Sequence, residues 1–79
     1  MKAEAIRAAI KFKPFRPFTI QTGSGESYLI NHPEIIIVSP DGTSVVGFPN
    51  QGEIAIIDVA SITEIITHPS GIKIGGEGE

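Results

Sequence analysis

Apolar residues along the chain come in short runs, broken about every ten residues by clusters of Gly, Pro, Asn, Asp and Ser, the spacing of an all-β sandwich or barrel. Phe18-Thr19-Ile20-Gln21-Thr22 alternates with period two and reads as a first strand, and Gly23-Ser24-Gly25 supplies a hairpin turn with two glycines free to take positive φ. Residues 26–31 form the next strand, with Tyr28 and Ile30 on one side and Leu29 on the other. His32-Pro33-Glu34 breaks it. Residues 35–38 are apolar on both faces, and Ser39-Pro40-Asp41-Gly42 has the residues of a type I or II turn. Residues 43–48 give a fourth strand, in which Gly47 allows a bulge or a close neighbour. After Pro49-Asn50-Gln51-Gly52 comes the stretch that fixes the architecture. Ile54 and Ile56 point one way and Ala55 and Ile57 the other; Asp58 and Ser61 then bracket a single tight helical turn, with one of them bonding local backbone, before a last strand to Thr67. A strand, one 3₁₀-like turn and a strand carry the chain from one sheet to the next in small five-stranded barrels. Beyond His68-Pro69-Ser70-Gly71, residues 72–74 suggest a short edge strand and 75–79 a disordered tail.

The first residues follow a different period. Ala3, Ile6 and Ile10 form a stripe at helical spacing with Ala9 beside it, while Glu4, Arg7 and Lys11 share the other side, so residues 3–11 read as a helix. A helix this short does not hold alone in water, and its stripe must pack on something. One reading has it cap an open end of the barrel; a second makes it a basic arm for an acidic partner. Pro14 ends it. In a polyproline II conformation Phe12, Phe15 and Phe18 share one edge, as structural anchors lying on the barrel, and Lys13 and Arg16 share another that stays wet. Pro14 and Pro17 also spell PxxP, a spacing common by chance and of no use to a partner if its aromatics are buried.

Seventy-nine residues make one domain, assigned to 1–74 with the tail after it, and a domain of this size buries only about 60% of its unfolded surface. There is no cysteine, hence no disulfide or thiolate metal site, which fits a reducing compartment. Glu4 and Arg7 interrupt any signal-peptide core, and no run approaches the roughly 18 apolar residues of a membrane span, so a soluble, cytoplasmic protein without membrane contact is expected. The net charge of −3 is unevenly placed. Residues 1–16 hold five cations against Glu4 alone, a balance of +4; residues 17–72 hold six acids and no cation, a balance of −6; the tail adds −1.

Isoleucine is in excess. Residues 35–38, 54–57 and 65–66 are apolar on both faces, whereas one small interior takes only half of each run. Each isoleucine left in water forgoes about 1.5–3 kcal/mol, and several together make an adhesive patch. Burial therefore favours a homo-oligomer over a monomer, with the basic segment of one protomer set against the acidic barrel of another.

Chemistry is sparse. His32 and Glu34 with His68 would be the whole of a zinc site, and both histidines precede prolines in turns, so no metal or other cofactor is assigned. Nothing pairs Ser27, Ser39 or Ser61 with a histidine, and the acids are spread as solvating charges; no catalytic residue is assigned and no enzyme expected. A phosphate loop at Gly23-Ser24-Gly25 lacks both the following helix and the lysine. Nucleic acid would need a basic track, which the strands lack; only Arg7, Lys11, Lys13 and Arg16, with Lys2, could provide one. Those four cations, Arg7, Lys11, Lys13 and Arg16, are the candidate partner-binding residues.

Pro14-Phe15-Arg16-Pro17-Phe18-Thr19-Ile20, followed by His32-Pro33-Glu34, Ser39-Pro40-Asp41-Gly42 and Ile57-Asp58, resembles a family of small uncharacterised bacterial proteins with PFRPF, HPE and SPDG motifs in that order. The likeness runs from about residue 14 to 66. Gly25-Glu26 stands where DGR-like residues are usual, and Thr43 replaces the Arg after the Asp-Gly pair. The resemblance brings no established activity. The order of helix, strands and tight turn is also similar to the Sm-like and SH3-like small barrels, which implies a five-stranded barrel and, from the bacterial RNA-chaperone ring, RNA binding by an oligomer. Asp58-Val59 puts an anion where that resemblance expects a basic residue. The expectation is thus a non-catalytic, self-associating small-barrel interaction module with one N-terminal helix. A protein partner is its second target class, and RNA held by the N-terminal cations is the alternative.

Overall fold

The computed structural model describes residues 1–68. Helix α1 (Ala3–Lys11) leads into six strands: β1 (Phe18–Thr22), β2 (Ser27–Ile30), β3 (Ile36–Val38), β4 (Ser44–Gly47), β5 (Ala55–Asp58) and β6 (Ile62–Thr67). One-turn 3₁₀ segments, Pro33–Ile35 and Val59–Ser61, precede β3 and β6. The edge strand expected at 72–74 and the tail at 75–79 lie outside the described residues.

The strands form two antiparallel sheets in the orders β2-β1-β6 and β3-β4-β5. The chain is mostly β with one short helix, as the pattern predicts, but among the described residues the five-stranded closed barrel is not what forms. The correction has a local cause. The pattern itself breaks at His32-Pro33-Glu34, so the strands it marks number six, one more than a five-stranded barrel holds. Pro33 brings no N–H to a ladder and starts a 3₁₀ turn, which keeps β2 and β3 separate, one in each sheet. At the other crossing the expectation holds: Val59–Ser61 is one tight turn between β5 and β6, and the Ser61 hydroxyl donates to the Asp58 carbonyl at 2.7 Å.

The two sheets and the helix close on a core of Ile6, Phe18, Ile20, Ile30, Ile36, Val45, Ile57, Val59 and Ile62. Period two places them: Phe18, Ile20 and Thr22 point inward from β1, while Val45 and Gly47 do so from β4. The helix stripe does as predicted, with Ala3 and Ile6 buried and Ile10 and Ala9 packed against the core. Gly47 sits opposite Ile36 and Ala55 without a register shift; a Cβ there would lie 3.7 Å from the Ile35 carbonyl. The irregularity falls in the other sheet, between Gln21 and Thr22 where β1 meets β6.

Candidate functional site

The excess isoleucine has a definite place. Across the second sheet Ile37 is opposite Val46, and Val46 opposite Ile56, so the three form a row on the face turned away from the core. Register continues one pair outward: Gly47 faces Ala55, which sets Phe48 toward Ile54. Ile37, Ile54 and Ile56 are 59%, 64% and 75% exposed and Phe48 is 42% exposed, so an apolar patch crosses all three strands. Asp58 continues the outer side of β5 and is exposed, as is Glu53 beside Ile54. No cation stands anywhere on residues 17–68.

A second apolar surface lies at the other sheet. Met1, Ala5, Ala8, Ala9 and Phe12 of the helix segment face Ile65 and Thr67 of β6 across a groove of about 470 Å³, with Arg16 at its rim. It exists because α1 turns only Ala3 and Ile6 fully inward, leaving the alanine side uncovered. The Arg16 guanidinium lies 5.0 Å from the centre of the Phe12 ring, a cation–π contact that holds the charge beside the groove.

The candidate partner-binding cations separate into two kinds. Arg7 is engaged within the chain, where its Nη2 donates to the Ser39 carbonyl at 3.0 Å and to Pro40 at 3.4 Å, tying α1 to the β3–β4 turn. Lys11, Lys13 and Arg16 are exposed. The three phenylalanines do not share one edge. Phe18 is fully buried, Phe15 is half-buried with its ring 5.9 Å from that of Phe18, and Phe12 is 48% exposed at the groove.

The polar side chains considered for chemistry mostly serve turns. Ser39 Oγ donates to Asp41 Oδ1 at 2.7 Å and accepts from the Ser44 N–H at 3.0 Å, while the Thr43 hydroxyl and N–H also reach Asp41 Oδ1, at 2.8 and 3.1 Å. These donors, Ser39 first, hold the Asp41 carboxyl below its ordinary range. His68 Nε2 is 2.9 Å from Thr19 Oγ1, so the ring is bonded across the sheet. The Tyr28 hydroxyl donates to Glu26 at 2.9 Å, which raises the Tyr28 pKa. Among the described residues no three His, Asp or Glu side chains gather as a metal site, and no helix is long and apolar enough to cross a membrane. The alanine-sided groove escaped the sequence reading, though the signal was present: Ala5 and Ala8 of α1, with Phe12 directly after the helix, repeat at helical spacing on a second side.

No family model matches the chain, and neither a curated protein nor a solved structure matches it.

Proposed function

We propose that the chain is a non-catalytic interaction module of the small-barrel kind, akin to Sm-like and SH3-like domains and to the bacterial proteins with PFRPF, HPE and SPDG motifs, which works in the cytoplasm by self-association. The observation that carries this reading is the row Ile37–Val46–Ile56 with Phe48 and Ile54, an apolar patch on the solvent side of a sheet whose inner side already serves the core. Burying each exposed isoleucine adds about 1.5–3 kcal/mol, which is large against the marginal stability of so small a domain. The tight Val59–Ser61 turn between β5 and β6 is of the kind small barrels use to pass between sheets, which supports that kinship.

RNA binding by the N-terminal cations has less to work with. Arg7 is held by two backbone carbonyls, which leaves Lys2, Lys11, Lys13 and Arg16 as the exposed charges of that segment, with no cation on residues 17–68 to extend them into a track. The test is light scattering after size exclusion on the wild-type chain and on Ile56→Glu. The wild type is expected at a multiple of the chain mass and Ile56→Glu at the single mass, with the same circular dichroism. A wild-type protein at the single mass at all concentrations would overturn the reading, as would an Ile56→Glu variant that associates unchanged.

A further inference from the structure

Resting on the self-association just proposed, we infer that the outer face of β3-β4-β5 docks in the groove between α1 and β6 of a second copy, a head-to-tail contact rather than sheet face against sheet face. Charge decides between the two. The apolar sheet patch is bordered by Asp58 and Glu53, and no cation lies anywhere on residues 17–68. Two such faces packed on each other would bring acid to acid with nothing between them to neutralise it. The chain's N-terminal cations all belong to residues 2–16, and Arg16 stands at the rim of the second apolar surface.

The order of side chains matches as well. On the outer side of β5, Ile54 and Ile56 are followed by Asp58. Among the residues lining the groove, Ala5 and Ala8 follow the helix toward Phe12, and the Arg16 guanidinium lies over the Phe12 ring. Setting the isoleucines over the alanines brings Asp58 toward Arg16, which the Phe12 ring already orients. The alanines leave the space that the isoleucine side chains fill, and the two surfaces share no residue, so one copy uses both at once. A head-to-tail contact of this kind either closes as a ring or runs on as a filament.

Complementary variants test it. Ile56→Glu disables the sheet face and keeps the groove; Ala8→Glu disables the groove and keeps the sheet face, with Ala5→Glu as a second groove variant should Ala8→Glu not give the wild-type circular dichroism. Each alone is expected at the single chain mass in light scattering. Mixed in equal amounts they are expected to form a particle of two chains and no larger, because only one productive contact remains. A groove variant that associates alone like the wild type, or a mixture that stays at the single mass, overturns the head-to-tail contact while leaving self-association standing. A monomeric wild type overturns both. Charge reversal gives an independent readout: Arg16→Glu and Asp58→Arg are each expected to weaken association about fivefold, and the two together in one chain to restore it. Absence of that restoration counts against the pairing.

Discussion

The turn at Ser39-Pro40-Asp41-Gly42 shows how much a few side chains settle. Gly42 has φ +76°, and a Cβ there would lie 3.1 Å from the Cβ of Ala3, so the glycine is required both by its backbone and by the approach of the helix. Gly25 has φ +92° with nothing within 4 Å of its would-be Cβ. Both Gly→Ala variants carry the left-handed backbone cost of about 1–2 kcal/mol. Gly42→Ala adds the collision with Ala3, and denaturant midpoints should fall further for it than for Gly25→Ala. Asp41 gives a pH signature. Its folded pKa is lowered by the Ser39 hydroxyl and the Thr43 N–H and hydroxyl. The stability it contributes is therefore complete above the ordinary value of 3.8 and is lost as pH falls through the lower folded value. The difference in melting temperature between wild type and Asp41→Asn should be largest at neutral pH and close in acid; a difference that is constant across that range would contradict the role given to Asp41.

At the scale of elements, the strands were legible because their periods were clean and their ends carried Gly and Pro. Phe18 to Thr22 alternates and is β1; the tight turn falls between Asp58 and Ser61, the two residues that bracket it in the sequence. What could not be read was how the six strands pair. The break at His32-Pro33-Glu34 was legible and does separate β2 from β3, but their places in different sheets, β2 beside β1 and β3 beside β4, depend on ladder partners that no local pattern names. The phenylalanines were harder for a related reason: period three places Phe12, Phe15 and Phe18 together, while packing buries them in a gradient toward β1. Their energetics should follow that gradient. Phe18→Ala should cost about 3–5 kcal/mol in a denaturant titration. Phe12→Ala should change stability by roughly 0.5 kcal/mol or less yet lower the association affinity, because its ring lines the groove and not the core.

For the whole molecule, composition alone declared that more apolar strand surface exists than one interior consumes. It did not say which face would be left over. Runs such as Ile35-Ile36-Ile37-Val38 are ambiguous by parity, and the ambiguity is resolved by the inward choice of Val45 on the central strand, which turns Val46, Ile37 and Ile56 outward together. The charge split was equally visible, but the sequence did not show that Arg7 would be spent on the helix–turn tie or that Arg16 would stand at an apolar groove.

The most direct measurement of whether the outer sheet face is an interface is the response of isoleucine methyl signals to a water-soluble paramagnetic agent across a dilution series. Ile37, Ile54 and Ile56 are predicted to be shielded at high protein concentration and to broaden on dilution, while the buried Ile20 and Ile57 stay shielded throughout. Methyls of Ile37, Ile54 and Ile56 that broaden equally at every concentration would contradict the account.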